Sequence, residues 1–231
     1  MIGDSTPLAA QLNQSYHQLL RLAANLSAAE WLADGDCFAE LENGDLVAFC
    51  RALSERIAPL AAAQQITWNF ECTLRSHIMA YDERLLERMV LNLVSNALKF
   101  TPPGGAITLS LRRGKQDVLL SVADTGCGIA EEQLQTLFDR YLHSECMDPA
   151  PHGLGLGLPL CNAIAQAHGG RIFAQSQVGV GTKITVALPD RQSMIHQVED
   201  GAFDYTGGFD HVLVELSDAL RADAYEWKKS R

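Results

Sequence analysis

RMVLNLVSNALKF, residues 88–100, carries two patterns on one helix. Met89, Val90, Leu93 and Ala97 recur at helical spacing and make an apolar face. Asn92, Asn96, Lys99 and Phe100 fall at i, i+4, i+7 and i+8 and share another. A helix over about 82–100 thus buries one side and brings two amides, a cation and an aromatic ring to one place. Thr101-Pro102-Pro103-Gly104-Gly105 ends it, because proline cannot continue a helix. Alone, the polar face reads equally well as a solvated one with an asparagine pair.

Outward from this helix, ITWNFEC (66–72) alternates like a half-buried strand. Ala106–Arg112 and Val118–Ala123 read as two strands joined by Arg-Gly-Lys-Gln-Asp, and RIFAQSQ (171–177) with TKITVAL (182–188) as a second hairpin around VGVG. Short helices are expected at Glu131–Phe138 and Leu154–His168, with an irregular loop at His143–His152. One mixed sheet covered on one face by helices accounts for 66–189, an α+β two-layer sandwich within the broad α/β class. Ahead of it, Pro7–Leu32 reads as a long helix with Leu12, Leu19 and Leu26 at heptad spacing and Leu8, Leu22 and Ala29 on the alternate seam, a pattern that wants a partner helix. A second helix runs from about Leu46 to Gln64. A helical pattern near the end places Phe209, Val212, Leu213, Leu216 and Leu220 on one face.

Two further motifs carry chemistry. Asp124-Thr125-Gly126-Cys127-Gly128-Ile129 follows directly on an apolar strand: a carboxylate at a strand end, with two glycines that let backbone approach a flat ligand. Adenine offers such a carboxylate its 6-amino donor, whereas guanine would present a carbonyl. By itself the motif also reads as a plain turn. HGLGLGLPL (152–160) opens a helix with Gly153, Gly155 and Gly157, which would expose N–H groups and the positive end of the helix dipole to an anion. It is neither a Walker loop nor a dinucleotide fingerprint, and alone it reads as a hinge.

The 18 Lys and Arg against 28 Asp and Glu give a net charge of −10, which argues against nucleic acid as a partner and requires any polyphosphate site to be built from local donors. The six cysteines, Cys37, Cys50, Cys72, Cys127, Cys146 and Cys161, form no CxxC pair and read as reduced and buried. No stretch has the apolar length of a membrane span, so a soluble cytoplasmic chain without membrane contact is expected, with room for a membrane anchor elsewhere in a parent protein.

The order of these motifs, with Leu137-Phe138-Asp139-Arg140-Tyr141 between the aspartate turn and the glycine run and Gly179-Val180-Gly181-Thr182 at the end, resembles the catalytic domain of sensor histidine kinases. That domain has the Bergerat ATP-binding fold of the superfamily that also holds DNA gyrase, a heat-shock chaperone and mismatch-repair ATPases. The resemblance covers 82–189, a little under half of the chain. It implies Mg²⁺-ATP as ligand, with Asn96 holding the metal, Lys99 on the phosphates, both of them catalytic, and Phe100 beside the nucleotide. Asn92 stands where the superfamily's hydrolases carry a water-activating glutamate; an amide cannot act as a general base, so the γ-phosphoryl is kept for another acceptor. Asp124 resembles the adenine-reading residue, with Gly126, Gly128 and Ile129 as its floor and Thr182 near the same base. Gly153, Leu154, Gly155, Leu156, Gly157 and Leu158 match the segment at the triphosphate. Tyr141 falls in the aromatic segment flanking the lid, where the family's second Phe and Tyr-Arg are replaced by Tyr141, Leu142 and His143. The arginine at the γ-phosphate therefore has no counterpart at its place, with His143 or Arg140 as weak substitutes.

The resemblance further implies a partial dimerisation hairpin with linker at 1–44, the ATP-binding domain at 45–190 and a tail at 191–231. Residues 7–32 look like the hairpin's second helix. The acceptor histidine followed by an acidic residue and a proline has no match, and His17 reads as an ordinary surface histidine. His77, His152 and His168 read as a surface, a loop and a helix-end residue. The implied partners are a response regulator receiver domain and a second copy through the hairpin helix. Rival readings are a serine kinase of the anti-sigma type, against which the heptad helix speaks, and a non-catalytic ATP-binding interaction module.

Overall fold

The structure is a computed structural model that describes residues 7–34, 39–134, 157–193 and 209–225. Helices α1 (Pro7–Asp34) and α2 (Leu46–Ala63) are followed by α3 (Glu83–Phe100), the short α4 (Glu131–Leu134), α5 (Gly157–Ala167) and α6 (His211–Glu215). Strands are β1 (Glu42–Asp45), β2 (Thr67–Cys72), β3 (Ile78–Tyr81), β4 (Ala106–Arg113), β5 (Asp117–Asp124), β6 (Arg171–Gln177) and β7 (Gly181–Pro189).

Five strands form one sheet in the order β2-β4-β5-β7-β6. The β2–β4 pair is parallel and the others are antiparallel, so the sheet is mixed as expected. Register puts Cys72, Leu111, Leu120, Val186 and Ile172 in one row beneath α2, α3 and α5. The adjacent row, Glu71, Ser110, Ser121, Thr185 and Phe173, lies on the opposite face, where Ser121 and Thr185 share a hydrogen bond at 3.0 Å. This alternation gives one apolar and one polar face, and the helices cover the apolar one. Residues such as Leu86, Met89, Leu109 and Leu120 are fully buried there, each contributing about 1.5–3 kcal/mol by leaving water.

Local chemistry sets the helix ends. Asp45 caps α2 by accepting from Val47 N and Ala48 N, at 3.0 and 3.3 Å. Asp82 caps α3 by accepting from Leu85 N at 3.0 Å. At the far end of α3, Thr101 N and Oγ1 both donate to Ala97 O before the two prolines turn the chain away.

Two expectations are corrected. Residues 78–81 leave the main sheet: β3 pairs with β1 in a separate two-stranded ladder, Glu42 opposite Tyr81 and Asp45 opposite Ile78. The terminal segment is also not one continuous helix. It breaks after α6 into turns and a 3-10 turn at Ala222–Tyr225, so Val212, Leu216, Leu220 and Tyr225 join the main hydrophobic cluster while Phe209 is exposed.

Helix α1 lies across this segment with Ala10, His17, Arg21 and Ala24 turned inward. Leu8, Leu12, Leu19 and Leu22 face outward, exposed by 65%, 63%, 63% and 39%. The side chains of Leu26 and Ala29, also placed on the apolar seam, lie outside the described residues.

Candidate functional site

β5 delivers Asp124 to its last position, half-buried, and the turn that follows anchors the carboxylate. Its Oδ1 accepts from Gly126 N at 2.8 Å and, from a strand 58 residues later in sequence, from Thr182 N at 3.3 Å. Burial raises the pKa of Asp124 above the ordinary aspartate value, and the two N–H donors pull it partly back. Oδ2 stays outside both bonds.

The turn is clamped on two sides. Cys127 N donates to Phe100 O at the end of α3, and Gly179 N donates to Cys127 O across the β6–β7 turn. Ile129 N donates to Ser176 Oγ, which is also 2.8 Å from Thr182 Oγ1. Gly128 has φ +70, and a side chain there would collide with the carbonyl of Gln177; one at Gly126 would strike the carbonyl of Phe100. The glycines are required by close backbone approach as well as by conformation. Asp124, Gly126, Gly128, Ile129, Phe100 and Thr182 thus come together.

A cleft of about 770 Å³ opens beside this turn, bordered by Lys99, Phe100, Thr125, Gly126, Asp218 and Ala219. A smaller one, about 470 Å³ at His77, Arg113 and Asp190, holds none of the expected residues, and Asp190 contacts both His77 and Arg113 at 2.9 Å.

The polar face of α3 forms the other end. Asn96 is half-buried there. The Lys99 ammonium is pushed below its ordinary pKa by burial and by nearby Arg21, against the opposing pull of Asp218 at 3.5 Å. Asn92 is buried, its Nδ2 donating to Arg88 O at 2.9 Å and its Oδ1 accepting from Arg21 Nη2 at 3.3 Å. Gly157 opens α5 so near to Asn92 that an added Cβ would lie 3.0 Å from its Oδ1, which brings the start of α5 to this face. Leu158 packs against the core. Tyr141, Gly153, Leu154, Gly155 and Leu156 lie outside the described residues, as do Phe138, Arg140, His143 and His152.

Four charged residues that the sequence reading passed over meet here. Arg21, from α1, donates to Ser95 Oγ at 3.1 Å and to Asp218 Oδ2 at 2.9 Å. The carboxylate of Glu215, fully buried, faces Arg21 Nε at 3.5 Å and Arg88 Nε at 3.4 Å. Arg88 was within reach of pattern reading, since it precedes Asn92 by one helical turn on the same face. Arg21 sits on a helix conspicuous for its leucines, and its acidic partners are nearly two hundred residues away.

Two histidine expectations and one about cysteine are corrected, while His168 keeps its place at the end of α5. His17 is buried, donating from Nδ1 to Asn13 O at 2.7 Å and ringed by Tyr16, Phe209 and Tyr225. His77 is paired with Asp190 at 2.9 Å. His168 is buried, accepting from Asp82 N at Nε2 and therefore donating from Nδ1 to Ile164 O. Cys50 and Cys161 are buried, Cys72 is half-buried, but Cys127 is exposed because it rides on the outside of the clamped turn. Burial lifts the Cys50 thiol to about 12.

Residues 81–192 match the family described as histidine kinase-, DNA gyrase B- and HSP90-like ATPase. The chain is 48% identical over 109 residues to the histidine protein kinase DivJ of Caulobacter vibrioides, covering 47% of the chain and 18% of that protein. It is 40% identical over 109 residues to the adaptive-response sensory kinase SasA of Synechococcus elongatus, covering 47% of the chain and 28% of that protein. The chain therefore spans less than a third of these two relatives. Among solved structures, full-length ShkA in complex with AMPPNP shares the fold with a TM-score of 0.68 at 24% identity, covering 84% of this chain and 40% of that one. The catalytic domain of histidine kinase ThkA does so with a TM-score of 0.58 at 24% identity, covering 66% and 97%.

Proposed function

We propose, for a chain whose residues 81–192 carry a histidine-kinase-type ATPase domain, that it binds Mg²⁺-ATP between the Asp124 turn and the polar face of α3 and passes the γ-phosphoryl to a histidine on a dimerisation hairpin. A receiver-domain aspartate of a response regulator would then take the group. The observation that carries this reading is the anchoring of Asp124 through Oδ1 alone, which leaves Oδ2 to accept the 6-amino hydrogen of adenine.

Phosphoryl transfer of this kind is mainly positioning and charge neutralisation. Lys99 balances phosphate charge, and the start of α5 offers backbone N–H donors to the same place. Asn92 cannot activate water, so hydrolysis competes poorly with transfer. A magnesium ion fits this donor set: Mg²⁺ that arrives with a nucleotide takes most of its oxygens from phosphate and water, and the amide of Asn96 suffices for the protein's share. No group of three metal-ligating side chains occurs among the described residues, in keeping with an ion brought by the nucleotide. Held there with the nucleotide, such an ion would supply neutralisation of charge on the phosphoryl oxygens.

His17 is not the acceptor in this reading, since its ring is buried among Tyr16, Phe209 and Tyr225. The outward leucines of α1 support pairing with a second copy through the hairpin helix.

Calorimetric titration of the full chain with Mg²⁺-ATP and with Mg²⁺-GTP tests the proposal. ATP is expected to bind and GTP to bind at least tenfold more weakly. Asp124→Asn keeps an oxygen for the two N–H donors but turns an amide toward the adenine amino group, and should cost about tenfold or more in ATP affinity. Equal affinity for both nucleotides, or no effect of the substitution, would overturn it.

A further inference from the structure

Lys99, the cation expected to meet phosphate, is already engaged by a carboxylate of the same chain. Asp218 lies 3.5 Å from Lys99 Nζ and 2.9 Å from Arg21 Nη1. Glu215, one helical turn earlier, lies between Arg21 and Arg88 and also accepts from Asn92 Nδ2 at 3.5 Å. Asp218 and Ala219 wall one side of the cleft beside the Asp124 turn. Gln64, at the end of α2, donates to Ala219 O at 2.9 Å and holds that wall in place.

The segment that carries these acids is held by apolar anchors and by α1. Val212, Leu216, Leu220 and Tyr225 are buried, and Gln14 donates to Leu220 O at 2.7 Å. Yet one contact is imperfect. Arg21 Nε is buried without a hydrogen bond although Glu215 faces it, because a single carboxylate between two guanidinium groups cannot meet both in line. Phosphate oxygens, being more numerous and more charged, satisfy Lys99 better than a single carboxylate does.

We propose that residues 209–225 are a tethered competitor of the nucleotide, with Asp218 standing on Lys99 at the cleft wall in place of phosphate. This rests on the nucleotide reading given above. ATP binding and tail docking then exclude each other: the triphosphate takes Lys99 from Asp218, and the tail leaves the cleft wall. Whatever draws the tail away raises the affinity for ATP without touching the adenine end. A partner that holds the tail down keeps the kinase silent.

Asp218→Asn in the full chain is the first test, chosen because Asp218 is partly exposed and its loss spares the buried anchors. ATP affinity is expected to rise about threefold or more, the scale of a partly exposed ion pair. Hydrogen exchange of the unaltered protein is the second: amides of 212–220 should exchange faster when saturating Mg²⁺-ATP is added. Unchanged or weaker affinity in Asp218→Asn, with these amides equally protected in bound protein, overturns the proposal and leaves the nucleotide reading standing. Failure of ATP to bind either protein overturns that reading and this one with it.

Discussion

Asp124 is carried at some cost to the fold. Burial raises its pKa, so the fold disfavours the charged form relative to water, while the proposed reading of adenine requires the carboxylate. A group whose folded pKa is raised adds stability that is fully present below its ordinary value of 3.8 and is lost as pH rises through the folded value. Near neutral pH the ionised side chain is therefore a burden in the absence of nucleotide. Asp124→Asn retains an acceptor for Gly126 N and Thr182 N and should raise the Tm of the nucleotide-free protein near pH 7, with the gain shrinking as the pH falls toward roughly 4. Thermal melts across that range check this. A lower Tm at neutral pH would mean that the charged form is favoured by the fold after all. A variant that melts later and binds ATP less well would show a residue kept for the ligand at the expense of the scaffold.

Helix α3 is the element on which the site depends, and its start is held by one side chain acting in two directions. Asp82 accepts from Leu85 N through Oδ1 and from Glu40 N through Oδ2 at 3.1 Å, while its own N–H reaches His168. Asp82→Ala should cost about 1–2 kcal/mol in denaturant unfolding, since it strips a cap and leaves the Glu40 amide without its acceptor. A loss within experimental error would show that water replaces both bonds. The ends of α3 were readable because capping residue, apolar period and Pro-Pro stop all agree locally, and the five strands of the main sheet were readable from alternation of two. The β1–β3 ladder was not, because four-residue strands hold too little of a period to stand out from a loop. The terminal segment misled for a related reason: Leu216 and Leu220 keep helical spacing although the backbone between them turns. The paired charges of Arg21, Glu215 and Asp218 escaped because partners so far apart in sequence leave no local pattern.

At the scale of the molecule, α1 presents two faces with different fates. Arg21 and His17 face the terminal segment and the polar side of α3, while Leu8, Leu12, Leu19 and Leu22 face outward at heptad spacing. Sedimentation equilibrium of the full chain is expected to show a dimer, and Leu12→Glu with Leu19→Glu a monomer that still binds ATP, because charge at the seam defeats helix pairing but leaves the inward face alone. A monomer in both cases would remove the second-copy reading. The same helix ties the two ends of the described chain together: Asn13 donates to Tyr225 O across 212 residues and Gln18 to Ser217 O across 199. Contacts so distant along the chain close the longest loops and carry the largest closure entropy, so they form after the local hairpins β4–β5 and β6–β7 and after α3 has docked on them. During folding the Asp124 turn and Lys99 are thus in place before the terminal segment can reach them. If that segment competes with nucleotide as proposed, timing decides the first occupant where affinity decides the last.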